Sequence, residues 1–133
     1  MGYHHLALAA RDMKAIHDFY EGVMGFQLVK VEVGPSPEGG WAKHFFYRME
    51  DDSKFIAFWE MHDMPGTENV ETNLSKAAGV PDHINHISFD VKDMDELQAR
   101  KQRLPVMTCS RSTITGATRS TPRTRTTISS SSA

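Results

Sequence analysis

His5-Leu6-Ala7-Leu8-Ala9-Ala10-Arg11-Asp12-Met13 recurs in outline, 81 positions later, as His86-Ile87-Ser88-Phe89-Asp90-Val91-Lys92-Asp93-Met94. His, a basic residue, Asp and Met return at the same offsets. Each stretch alternates like a strand and ends in an Asp suited to cap a helix. In the first, Tyr3–Ala9 sends Leu6 and Leu8 one way and Tyr3, His5, Ala7 and Ala9 the other. In the second, His83–Val91 puts Ile87, Phe89 and Val91 on one face and Ile84, His86, Ser88 and Asp90 on the opposite one. A strand–helix start that recurs in this way predicts two copies of one supersecondary unit.

After Asp12, Met13, Ile16, Tyr20, Val23 and Met24 fall at helical spacing, with Gly25 placed to stop the helix. Phe26–Val33 reads as a second strand and 34–40, with Pro35 and Pro37, as a loop. Trp41–Met49 and Lys54–Met61 read as an antiparallel pair turning at Asp51-Asp52-Ser53. The first unit is therefore βαβββ. Residues 64–82 carry Pro65, Gly66, Gly79 and Pro81 and predict a connection with one helical turn. The second unit supplies its strand and a helix opened by Asp93 with Glu96 three residues later, a capping-box spacing continued by Met94, Leu97, Lys101 and Leu104.

There the pattern ends. Residues 105–133 hold eight Thr and seven Ser, four Arg, no acidic residue and no aromatic one, so they offer little to bury and are expected to be disordered. The division expected is a first module over 1–63, a linker over 64–82, the start of a second module over 83–104, and the tail. The fold class expected is α+β, paired βαβββ modules with the second truncated after its helix.

The whole chain has 133 residues, 39% hydrophobic and 24% charged, with a net charge of −2, which suits one soluble domain and gives no basic field for nucleic acid or membrane. Small molecules are the expected partners. One cysteine, Cys109, excludes an internal disulfide; the first 25 residues lack a signal-peptide apolar run, and no stretch approaches a membrane span. A cytoplasmic location is expected.

Chemistry gathers on the strand face turned away from the helix, which carries His5 and His86. Two modules side by side would turn these faces into a cleft, and Glu60, sharing parity with Ile56 and Phe58, is expected to add a carboxylate there. Two imidazoles and a carboxylate suit Fe(II), Mn(II), Ni(II), Co(II) or Zn(II) with open positions for substrate. His62 has the parity of Glu60 and competes with it. His44, Phe46 and Arg48 share a face and are expected to line the cleft, Arg48 holding a substrate anion. His4 and His83 have the wrong parity, and His17, on the helix, reads as solvated.

These residues bring a resemblance into view. Residues 3–104 resemble the vicinal oxygen chelate superfamily, which includes glyoxalase I, extradiol dioxygenases and bleomycin-resistance proteins. The resemblance rests on the opening His5-Leu6-Ala7-Leu8 with Asp12-Met13, on Phe19-Tyr20-Glu21-Gly22-Val23-Met24-Gly25-Phe26, and on His86-Ile87-Ser88-Phe89-Asp90-Val91. It implies paired βαβββ modules around a divalent metal held by His5, Glu60 and His86, chelation of adjacent substrate oxygens, and either a glyoxalase-like lyase or isomerase, with Glu60 also moving a proton, or an extradiol dioxygenase. The alternative is a metal-free, bleomycin-resistance-type ligand binder. A homodimer is expected, the first module of one copy covering that of another.

The family's last ligand is a Glu near the chain end, and no acidic residue follows Glu96. Permitted codons for Thr121–Ala133, regrouped by one frame, spell Thr-Thr-Asp-Pro-Asn-Asp-Asn-Leu-Val-Glu-Phe-Cys, an ending of the family's kind. This predicts a frameshift near Leu104-Pro105.

Overall fold

The computed structural model describes residues 2–49 and 52–104. Strand β1 (His5–Ala10) leads through Asp12, whose carboxylate accepts from the backbone N–H of Lys14 (2.9 Å) and Ala15 (3.1 Å), into helix α1 (Met13–His17). The expected helix then widens into a π-helical segment, Asp18–Val23, where Met24 N–H reaches back to Phe19 O at 2.9 Å. The wider turn still buries Met13, Tyr20, Val23 and Met24 together. Gly25 ends it at φ +75°, the left-handed region that glycine adopts without a Cβ penalty.

Strands β2 (Gln27–Pro35), β3 (Trp41–Arg48) and β4 (Phe55–His62) complete a four-stranded sheet in the order β1-β4-β3-β2, parallel between β1 and β4 and antiparallel elsewhere. One face packs under the helices. There Tyr20 meets Phe58 at 4.7 Å, Tyr47 at 5.9 Å and Phe26 at 6.1 Å between ring centroids, with Ile56 and Met24 in the same buried cluster. The other face stays open among the described residues.

Gly40 holds the β2–β3 loop against the end of β4. At φ +67°, a Cβ on it would lie 2.2 Å from His62 O and 2.5 Å from Asp63 backbone atoms. Gly40→Ala is therefore expected to cost about 2 kcal/mol, from backbone strain plus a backbone clash. An unchanged urea midpoint would show that the loop is not pinned there.

Helix α2 (Leu74–Ala77) is capped by Asn73, and buried Ser75 ties it to the following segment by donating to Asp82 O (3.2 Å) and accepting from Asn85 N–H (2.9 Å). Residues 83–91, expected as a strand, form none. Phe89 and Val91 are buried while Ser88 and Asp90 are exposed, so the period-two alternation of that stretch survives. A strand also needs a neighbour for its N–H and C=O groups, and none of β1–β4 pairs with this segment. Helix α3 (Met94–Arg103) starts as its capping spacing predicts: Asp93 accepts from Glu96 N–H (2.9 Å), and Glu96 reaches back to Lys92 N–H (2.6 Å). Leu97 is buried, but Met94 and Leu104 are exposed. The expected disordered tail and the out-of-frame reading fall on 105–133, outside the described residues.

Candidate ligand-binding site

Cross-strand register arranges the open face in rows. His5, Phe55, Arg48 and Gln27 form the first, Ala7, Ala57, Phe46 and Lys30 the second, Ala9, Trp59, His44 and Glu32 the third, and Met61, Ala42 and Gly34 the last. Ala7, Ala9, Ala42, Ala57 and Gly34 make a low floor, and the large rings rise from it.

His44 is the centre of this face. It is 6% exposed, its ring stacks on Trp59 at 3.6 Å and 14°, and Phe46 lies 4.1 Å away. Phe46 in turn meets His5 at 5.4 Å, with the Lys30 ammonium 5.2 Å from its centroid. Among the described residues, neither ring nitrogen of His44 has a hydrogen-bond partner, although Nδ1 approaches the Glu32 carboxylate at 3.4 Å. Burial pushes the imidazole below its ordinary pKa; Glu32 opposes this, while His5 and Lys30 add to it. Glu32 itself is held below the usual carboxylate range chiefly by Lys30, 2.8 Å away.

A lowered imidazole pKa means that the unfolded chain binds the proton better. Its contribution to stability is present above 6.5 and is lost as pH falls below that value. Urea midpoints are expected to drop as pH falls from about 6.5, and to drop less in His44→Phe, which keeps a stacking ring and cannot titrate. Equal slopes in the two proteins would place His44 in contact with water.

Beside this row lies a cavity of about 510 Å³, walled by Glu32, Pro35, Ala42, Trp59 and Met61 from the sheet and by Pro37 and Glu38 from the loop after β2. Sequence reading names His44 for this face but misses Glu32 and Trp59. The β4 stretch Phe55-Ile56-Ala57-Phe58-Trp59 is apolar on both faces, so no period marks Trp59 as belonging to the open one.

The metal-donor residues are placed apart. Parity with Ile56 and Phe58 predicts Glu60 in the cleft, yet that parity is the helix side. Glu60, 7% exposed, accepts from Met13 N–H (2.5 Å) at the start of α1, from Lys43 Nζ (2.8 Å) and from His62 Nε2 (2.6 Å). Burial alone would raise its pKa, but these three partners hold it below the ordinary value. His62, its competitor, shares the helix side and stacks on Trp41 at 3.9 Å and 5°. His5 is on the open face, in register with Phe55, whereas Glu60 is in register with Ala10. Five residues and the thickness of the sheet separate them, about 16 Å along the strands.

His86 is exposed, donates Nδ1–H to Ile84 O (3.3 Å), and precedes Phe89, which packs on the helix side. Among the described residues no three His, Cys, Asp or Glu side chains gather as a metal site. The donors described do not fit the expected metal.

Arg48 lies on the open face, where Asp52 and Gln27 engage its guanidinium. His4 Nδ1 is 2.9 Å from His5 Nδ1. His17, expected in solvent, is half-buried between the Tyr47 hydroxyl (3.3 Å) and Glu21 (3.4 Å), because the π-helical widening follows it directly and Tyr47 stands beneath. Burial raises the Tyr47 phenol pKa, so it stays a neutral partner.

No described helix is long and apolar enough to cross a membrane. The family model described as Glyoxalase/Bleomycin resistance protein/Dioxygenase superfamily matches residues 2–106, stopping two residues beyond Leu104, where the composition changes. No curated protein matches the chain.

Proposed function

Because the chain belongs to the glyoxalase/bleomycin resistance protein/dioxygenase superfamily, we propose that it is a small-molecule-binding module whose ligand lies on the open face of the sheet. The observation that carries this reading is the row Glu32–His44–Trp59, a buried imidazole between a carboxylate and an indole, bordering a cavity of about 510 Å³ over a floor of small side chains. Stacking surface, an apolar wall and a few polar groups are what a small-ligand site requires.

The test is a fragment titration followed by amide and indole NMR shifts in the full chain. Shifts confined to β3, β4 and the loop after β2, centred on Trp59, are the expected result. Shifts confined to the helix side, or none for any aromatic fragment, overturn it.

A metal-dependent lyase or dioxygenase is the second reading, and what favours it is the exposed imidazole of His5 on this same face. It requires a divalent ion bound one to one and lost in both His5→Ala and His86→Ala. A cobalt titration followed by visible absorbance is expected to show no such site in this chain, and a stoichiometric site dependent on both histidines would restore the enzyme reading.

A further inference from the structure

We infer that the cavity beside Trp59 takes a small organic cation, an ammonium group carried on an apolar body. The inference rests on the open-face binding reading and adds to it the charge of the ligand. Among the described residues, Glu32 and Glu38 are the only ionisable side chains lining the cavity, and no Lys, Arg or His joins them. Most of the remaining wall is apolar, including Pro35, Pro37, Met61 and Met64.

Trp59 is stacked by His44 yet remains 40% exposed, which leaves indole surface for a cation to approach. The methionine thioethers are polarisable and adapt to an irregular apolar body.

The carboxylates keep their charge. Lys30 and the Ser36 hydroxyl hold Glu32 and Glu38, respectively, below the ordinary carboxylate range. Lys30 pairs with Glu32 at 2.8 Å, but its side chain is 56% exposed and water screens it. Burial keeps His44 neutral near pH 7, so it does not cancel the charge of Glu32. A neutral ligand would strip water from two carboxylates and return nothing, and an anion would be repelled. The whole chain carries a net charge of −2, so its long-range field does not oppose a cation.

The experiment compares benzyltrimethylammonium with benzyl alcohol by calorimetry and by the Trp59 indole resonance, using the full chain. The cation is expected to bind about tenfold more tightly, and to weaken as salt rises from about 50 to about 500 mM. The double variant Glu32→Gln/Glu38→Gln is expected to lose that advantage, so that the two probes bind it with comparable affinity. Both carboxylates are at the surface, so an unchanged urea midpoint will confirm that the variant folds.

Equal affinity for the two probes, or a double variant that keeps its preference for the cation, overturns the charge assignment while leaving the open-face reading in place if Trp59 still shifts. No Trp59 shift with either probe in the parent protein overturns both.

Discussion

Phe89→Ala is expected to destabilise the chain by about 3–4 kcal/mol, since removing a buried Phe ring loses its transfer energy and leaves a cavity. Phe89 is nearly buried, edge-on to Phe26 at 5.5 Å and to Tyr20 at 6.5 Å. It is the anchor by which the unpaired segment 83–92 joins the core of the βαβββ unit. Domains of this size are stable by only about 5–15 kcal/mol, so the loss is a large fraction of the whole.

Helix α3 follows directly and rests on the same region through Leu97 and through Arg100, whose guanidinium carbon is 5.8 Å from the Phe26 ring centroid. Its amides are therefore expected to exchange faster in Phe89→Ala. Urea denaturation and hydrogen exchange together check this. A cost under about 1 kcal/mol with unchanged exchange in α3 would mean that the segment is not seated as described.

Glu60→Ala is expected to cost about 3 kcal/mol at pH 7 with no metal present. Breaking a buried pair costs about 3–5 kcal/mol, and the lower end applies because Lys43 is about a third exposed. The variant leaves the Met13 N–H and the Lys43 ammonium without their carboxylate. In the parent protein the same interaction is present above the ordinary carboxylate value of 4.5 and fades as pH falls through the lowered folded value, because the unfolded chain then binds the proton better. Glu60→Gln should flatten this acid limb.

These measurements separate two roles for one residue. A helix-anchoring carboxylate gives a stability loss without metal, whereas a metal ligand on the cleft would leave apo stability near that of the parent and change only ion affinity.

Glu60 also shows where reading a sequence stops. Its parity with Ile56 and Phe58 is legible in the sequence, and that parity does share one face. Which face it is depends on where α1 packs, and α1 sits on the side that Glu60 caps. Phe89 is the complementary case: its alternation with Ile87 and Val91 predicts a buried side, and it is buried, although no strand forms. Trp59 carries no local sign, because its neighbours on both faces are apolar.

By itself the sequence determined the order of the elements in the first unit, the Asp12 and Asp93 caps, the stop at Gly25 and the family to which residues 2–106 belong. All of these depend on spacing and residue type within a few positions, where backbone geometry and side-chain chemistry act locally. Tertiary structure alone decided the side of the sheet on which Glu60 lies, its separation from His5, and the row Glu32–His44–Trp59. Each of these joins residues on different strands, and cross-strand register and helix packing are set by the summed burial of the whole core.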